Sequence, residues 1–152
     1  MAGRRPAMQV TATWTLEAVP GAIPPALSWL AATARQRRWP ESVARHLALC
    51  LDEALGNIVM HGFKGQAHSE KKQIDLRILE SPHSTAIDII DHGVAFDPTQ
   101  RDLPPLAGSL AGARPGGHGL RLMRHYLDEI HYERRNHRNH LRLIVHTASS
   151  GN

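Results

Sequence analysis

Glu53 and Asn57 are the two residues whose types and spacing suggest chemistry most directly in this sequence. They lie four residues apart in a stretch whose leucines recur at helical spacing, so both side chains should share one face of a predicted helix. The helix would therefore present a carboxylate and an amide side by side. Asn is a poor helix former, which suggests that its side chain has a task there. Taken alone, such a pair is more often an ordinary contact on a solvated helix face.

Asp91 is a second candidate, because it ends a predicted strand and Gly93 follows it two residues later. A carboxylate at that place can accept a hydrogen bond from a ligand amine, and the glycine lets backbone approach closely. Adenine presents an amine where guanine presents a carbonyl, so a buried Asp favours adenine. The competing interpretation is a simple strand-ending turn made of Asp and Gly.

A third candidate is the glycine-rich sequence 116–119, which contains Gly117 and Gly119 and leads into a predicted helix. Free backbone N–H groups at a helix N-terminus can hold phosphate, although a flexible hinge would use the same residues. The spacing matches neither a Walker A loop nor the dinucleotide-binding pattern. Arg121 and Arg124 follow on the helix, where we prefer a solvated face to a phosphate contact.

The length and composition indicate one domain, with no disulfide and no recognisable targeting segment. The 152 residues are enough for a core of sheet and helices, and Cys50 is the lone cysteine, so no intramolecular disulfide can form. No apolar signal core follows the basic start at 1–6, and no run approaches the length of a membrane span. We therefore expect a cytoplasmic protein with no membrane partner.

The net charge of +4 and the 11 histidines raise two further classes, nucleic-acid binding and metal binding. Acidic residues are interspersed with the basic ones, so we expect no direct nucleic-acid partner. His137 and His140 have no partner pair at a zinc-site spacing, which argues against a zinc site. A nucleophilic hydrolase is also disfavoured, because no Gly-x-Ser-x-Gly elbow is present and Cys50 lies in an apolar helical pattern.

Hydrophobic periodicity predicts the element order β-α-α-β-β-lid-α-β-β. Segment 95–116 is rich in Pro and Gly and too long for a routine connection, which is typical of a lid over a ligand or of a surface insertion. Short turns join most strands, so we predict a single α+β domain over 1–152, a two-layer sandwich. Its mixed, mostly antiparallel sheet of about five strands carries three helices on one face. The strands are predicted at 8–18, 74–80, 85–91, 130–134 and 141–146, and the helices at 26–38, 40–61 and 119–127.

The three candidate patterns are far more specific together, in this order, than any one of them alone. They resemble the conserved boxes of the Bergerat-fold ATPases, which include gyrase-type ATPases, Hsp90 chaperones, histidine kinases and MutL proteins. Within that superfamily the chain is most similar to the small anti-sigma-factor serine/threonine kinases. The similarity is carried by 53–63, 91–98 and 116–123 and extends over nearly the whole chain. One departure is Ala95, which stands where many members have a second glycine.

The resemblance implies ATP and Mg²⁺ as cofactors and assigns a role to each residue of the first pair. Asn57 would hold Mg²⁺, and Glu53 would orient or deprotonate the attacking hydroxyl. The residue types fit that chemistry, because Mg²⁺ keeps several waters and accepts one amide oxygen together with phosphate oxygens. Phosphoryl transfer then needs mainly positioning, charge neutralisation and a base near the acceptor.

The resemblance also assigns the nucleotide contacts. Asp91, with Gly93 beside it, would take the adenine amine. Gly117 and Gly119 would line the phosphates beneath an ATP lid formed by 95–116.

The resemblance implies a kinase that phosphorylates a Ser or Thr of an anti-anti-sigma partner with a STAS domain. When that partner is not available, the protein would sequester a sigma factor, and a homodimer is possible. The alternative is a nucleotide-gated anti-sigma binding module with little or no kinase activity. Glu53 favours the kinase, because a pure binder needs no carboxylate beside the metal ligand. A histidine-kinase catalytic domain ranks third, since we find no room for a phosphoacceptor helical hairpin.

Overall fold

The computed structural model describes residues 7–63, 72–95, 97 and 115–147, of which 115–120 are described as backbone. These residues form five strands and three α-helices. In chain order they are β1 (Gln9–Glu17), α1 (Ile23–Gln36), α2 (Glu41–Asn57), β2 (Gln73–Ser81), β3 (Ser84–Asp91), α3 (Pro115–Tyr126), β4 (Glu129–Arg135) and β5 (Arg138–His146). A 3-10 turn (Pro20–Ala22) precedes α1, and a π-helical turn (Ile58–Gly62) continues α2.

The strands form one sheet in the order β1-β2-β3-β5-β4. All four of its described ladders are antiparallel, which confirms the predicted α+β class and its mostly antiparallel sheet. Strands β4 and β5 are joined by Asn136 and His137, whose φ angles of 54° and 60° are both left-handed. Two such residues make the hairpin turn that matches the twist of the flanking strands, and Asn tolerates that conformation well.

Alternation along the strands directs one face of the sheet at the helices. On β2, for example, Ile74, Leu76 and Ile78 are fully buried and belong to the same core cluster as the helix residues. The apolar stripe of α2 supplies Leu47 and Leu51, which have no exposed surface. This packing gives the two-layer arrangement, with the core between the sheet and the helices.

Helix α2 begins where the sequence predicts and ends in an irregular turn. Pro40 is extended, with φ −56° and ψ 144°, and Glu41 places an acidic side chain in the first turn, where it favours the helix dipole. After Asn57 the chain widens into the π-helical turn. Turns of that kind are frequently found at functional sites, so the end of α2 is a place to look for one.

Helix α3 begins earlier than predicted. The sequence places its start at Gly119, whereas the structure places it at Pro115. Proline suits the first helical position, because its missing N–H has no partner there in any helix. Most of the predicted lid at 95–116 lies outside the described residues. Among the described helices, none is both long and apolar enough to cross a membrane.

Candidate functional site

Asp91 is the most constrained polar group of the site. It lies at the end of β3 with 4% of its surface exposed. Its Oδ1 atom accepts hydrogen bonds from the Gly93 backbone N–H at 2.8 Å and from Asn139 Nδ2 at 3.0 Å. No hydrogen bond from the described part of the chain reaches Oδ2. One carboxylate oxygen is therefore held by two donors of the protein, and Oδ2 accepts none from the described residues.

Asn139 holds Asp91 from the neighbouring strand, where the two residues face each other in the β3–β5 ladder. It is 5% exposed, and its Nδ2 also donates to the carbonyl of Val94 at 2.8 Å. Its Oδ1 accepts from the Tyr132 hydroxyl and from Arg134 Nη1, the latter at 3.1 Å. Donors on one side and acceptors on the other fix the orientation of the amide.

The environment of Asp91 disfavours its charge. Burial raises the pKa of Asp91 above its ordinary value, and the hydrogen bonds from Asn139 and Gly93 lower it by less. A buried carboxylate of this kind gains when a further donor binds it. Buried titratable groups with shifted pKa values are concentrated at functional sites, which supports a binding role here.

Gly93 joins the end of β3 to the turn that follows α2. A Cβ atom at this position would lie 2.2 Å from the carbonyl oxygen of Gly62, so no larger residue fits without movement of the backbone. The same oxygen accepts the N–H of Val94 at 2.7 Å, and Arg134 Nη1 donates to the Gly93 carbonyl at 2.8 Å. These contacts connect the strand that carries the adenine candidate to the helix that carries Asn57.

Glu53 and Asn57 lie in the last turns of α2, both at intermediate exposure. Among the described residues, none is hydrogen-bonded to the side chain of Asn57. No three His, Cys, Asp or Glu side chains of the described part converge as a metal site. A magnesium ion would therefore take one protein oxygen, from Asn57, and its other ligands from phosphates and water, which is a coordination that Mg²⁺ accepts.

Gly56 lies between these two residues in the helix. A Cβ atom there would meet nothing within 4 Å, so packing inside the described structure does not require a glycine. Glycine inside a helix costs about 0.5–1 kcal/mol relative to alanine. The helix thus carries a residue that weakens it without an internal steric reason.

Gly117 and Gly119 lie in the first turns of α3, as helical backbone. The helix packs against α2, where the rings of His46 and Tyr126 are 4.6 Å apart. Arg121 is exposed, in agreement with the preferred solvated interpretation. That the two glycines line phosphates stays a prediction.

The structure brings two of the three predicted patterns together. Asp91 and Gly93 lie against the turn that follows Asn57, through contacts made by backbone atoms. The sequence does not single out Asn139 or Arg134, because Asn139 falls between the predicted strands 130–134 and 141–146 and Arg134 matches no motif. The two-residue turn at Asn136 and His137 sets the pairing of β4 with β5. The contact of Asn139 with Asp91 depends instead on the long-range register of β5 against β3.

Comparison with known proteins agrees with this geometry. Residues 16–145 match the family described as the histidine kinase-like ATPase domain. The serine/threonine-protein kinase BtrW of Bordetella bronchiseptica is 46% identical over 123 residues, which cover 81% of this chain and 84% of that protein. The histidine kinase domain of the Erythrobacter litoralis EL346 blue-light activated histidine kinase has a similar fold, with a TM-score of 0.50 at 15% identity. The match covers 86% of this chain and 64% of the solved one, less than two thirds of its length. The chain therefore belongs to the histidine kinase-like ATPase domain family.

Proposed function

We propose that this protein is an ATP-dependent serine/threonine protein kinase of the anti-sigma-factor type. The observation that carries the proposal is the buried carboxylate of Asp91, which keeps one oxygen for an external donor and is joined to the end of α2. A relative that is 46% identical and is named a serine/threonine-protein kinase supports it.

Each of the three side chains has its own role in the proposed phosphoryl transfer. Asp91 Oδ2 would accept the adenine amine, and Asn57 would hold Mg²⁺, which would neutralise charge on the phosphates. Glu53 orients the acceptor hydroxyl and takes its proton. The hydroxyl oxygen forms a new bond to the γ-phosphorus. The bond between that phosphorus and the bridging oxygen of ADP breaks, and ADP departs.

The acceptor in this proposal is a Ser or Thr of an anti-anti-sigma partner with a STAS domain. When that partner is not available, the protein would sequester a sigma factor in the cytoplasm, and a homodimer is compatible with this role. The alternative is a nucleotide-gated binding module without transfer. The buried Asp91 supports nucleotide binding in either case, and Glu53 is the residue that favours the kinase.

A transfer assay tests the proposal. Wild-type protein, ATP labelled at the γ-phosphate, Mg²⁺ and the anti-anti-sigma domain encoded nearest to this chain are mixed, and label on the domain is counted. We expect label on wild-type acceptor, none on an acceptor whose hydroxyl residue is replaced, and little with Asn57→Ala. Binding of ATP and of the acceptor without any transfer would favour the nucleotide-gated module instead.

A further inference from the structure

A line of four exposed residues and the half-exposed Gly56 runs along the outer side of α2 into the π-helical turn, beside the candidate catalytic groups. We call it the outer stripe. Leu49 and Met60 are 39% and 52% exposed, and they are two of the five large hydrophobic residues that are exposed in the described part of the chain. The stripe consists of Arg45, Leu49, Asp52, Gly56 and Met60.

The outer stripe borders Glu53. Successive residues of an α-helix are rotated by about 100°, so Glu53 falls between Gly56 and Asn57 around the helix axis. A polypeptide on the stripe therefore has Glu53 next to it and Asn57 beyond. A hydroxyl held at this edge of the stripe would lie beside the base, on the side towards the metal ligand, from which it must also reach the γ-phosphate directly.

The make-up of the outer stripe differs from that of an ordinary solvated helix face. A single exposed leucine is unremarkable, but here Leu49 and Met60 flank Gly56, where a Cβ would meet nothing within 4 Å. No packing inside the described structure accounts for the glycine, and the helix surface is open at this point. Two apolar side chains with a gap between them suit a partner whose main chain crosses the helix closely.

The outer stripe also carries two charged side chains. Arg45 and Asp52 are both exposed, and neither forms an ion pair or hydrogen bond with a described residue. An acidic group of a partner fits Arg45 at one end, and a basic group or a donor fits Asp52 nearer the site. Charges of this kind set the register and orientation of a bound protein.

We propose that the outer stripe is the docking surface for the protein that receives the phosphoryl group. The acceptor main chain crosses Gly56, apolar side chains cover Leu49 and Met60, and an acidic side chain pairs with Arg45. The Ser or Thr hydroxyl is thereby brought to Glu53. This inference rests on the proposed kinase function and specifies how its substrate is selected.

The test separates docking from nucleotide binding and from folding. The variants are Gly56→Gln, Leu49→Asp and Met60→Asp, with Mg·ATP affinity measured by calorimetry and transfer to the same anti-anti-sigma domain measured at varied acceptor concentration. We expect the KM for the acceptor to rise by about tenfold or more while kcat changes little, because docking contacts act before the chemistry. ATP affinity should stay within about twofold of wild type.

Matched controls exist away from α2. A Cβ at Gly21 also meets nothing within 4 Å, and Val19 is 40% exposed, so Gly21→Gln and Val19→Asp reproduce the chemical changes without touching the stripe. Both controls should keep the wild-type KM for the acceptor. Thermal melting of every variant identifies any that fail to fold, and the remaining stripe variants decide the question.

Three outcomes would overturn the inference. Wild-type KM values in all the folded stripe variants would overturn it and leave the kinase proposal intact. A change in self-association of the stripe variants by sedimentation, with the acceptor KM unchanged, would make the stripe a contact between two copies. If the wild-type protein neither binds the acceptor nor transfers phosphate to it, the proposed function is rejected, and the docking inference with it.

Discussion

The carboxyl group of Asp91 is held where folding alone would not place a charge. It is buried at the end of β3, and its raised pKa means that ionisation costs the folded state free energy. Asn139 and the Gly93 N–H offset only part of that cost. At the scale of single residues, the charge of Asp91 therefore lowers the stability of the folded protein, and a binding role would account for its presence.

Asp91→Asn should separate stability from binding. The amide oxygen can still accept from Gly93 and Asn139, but its NH₂ group faces the adenine amine, so ATP affinity should fall by about 10- to 100-fold and the preference over GTP should disappear. For an acid with a raised folded pKa, the stabilising contribution is complete below the unfolded pKa and is lost as pH rises through the folded pKa. The variant should therefore melt above wild type at pH 7, with an advantage that shrinks as the pH falls towards about 4.

Calorimetry with ATP and GTP and thermal melting from pH 7 downwards check this prediction. Asp75→Asn is a suitable control, because Asp75 is a strand carboxylate that accepts hydrogen bonds from Thr15 and Gln73 on β1 and β2. It should leave ATP binding unchanged. An Asp91→Asn protein that binds ATP as wild type does would contradict the assignment.

Glu53→Ala should leave ATP affinity within a few-fold and lower the rate of transfer by about 10² or more, a typical contribution of a general base. In the proposed mechanism Glu53 acts on the acceptor hydroxyl, whereas Asp91 and Asn57 hold the nucleotide. Single-turnover transfer from labelled ATP measures the effect. Glu41→Ala, at the exposed start of the same helix, is the control. Unimpaired transfer by the Glu53→Ala protein would contradict the role of Glu53 as the base.

At the scale of elements, the contact between the end of α2 and the end of β3 decides whether the two halves of the site meet. The π-helical turn presents the Gly62 carbonyl to the Val94 N–H, and Gly93 leaves space for that approach. Arg134 on β4 holds the Gly93 carbonyl from the other side. Three elements that are distant in the chain are thus fixed to one short segment.

Gly93→Ala should destabilise the protein by about 1–3 kcal/mol, the usual cost of forcing a group into a packed position. The obstacle is the backbone of Gly62, which cannot rotate aside as a side chain can. ATP affinity should fall too, because the displaced segment carries the Asp91 loop. Denaturant unfolding and calorimetry measure both effects. Gly21→Ala, where the added Cβ meets nothing within 4 Å, should be neutral or slightly stabilising.

At the scale of the whole molecule, the sheet divides the protein into a helical side that carries the site and an open side. The open side has its own polar centre at Asp88, whose side chain is 7% exposed and lies between Arg77 and Arg142. Arg142 Nε donates at 2.6 Å and Arg77 Nη2 at 3.1 Å, and the bond from Asp88 raises the pKa of Arg142. A depression of about 620 Å³ lies over this centre, on the open side.

Asp88→Ala should lower the free energy of unfolding by about 1–3 kcal/mol, since it leaves two neighbouring guanidinium groups without their shared anion. The loss of stability should be smaller than for a fully buried ion pair, because both arginines are well exposed. Added salt should reduce the loss. The control is Glu133→Ala, whose pair with Arg135 is 3.7 Å long and exposed on both sides. If denaturant unfolding gives equal losses for both variants, the Asp88 centre is an ordinary surface pair.

Local patterns in the sequence determined the elements of this protein. The alternation in β2, the mainly apolar run of β3 and the leucine stripe of α2 predict those elements within a few residues, because the side-chain period of a strand or helix is set by its own backbone. The α+β class follows from the order of the elements and the short turns between the strands. Asp91 and the Glu53/Asn57 pair stand out for the same reason, as polar groups that interrupt local apolar patterns.

Only the tertiary structure decided how those residues meet. Asn139 faces Asp91 across a ladder between residues 48 positions apart, and a shift of one residue in that register would turn its amide to the other face of the sheet. The approach of Gly93 to Gly62 likewise depends on how α2 packs on the sheet. Long-range register and packing are set by the whole core at once, so no local period in the sequence could have revealed either contact.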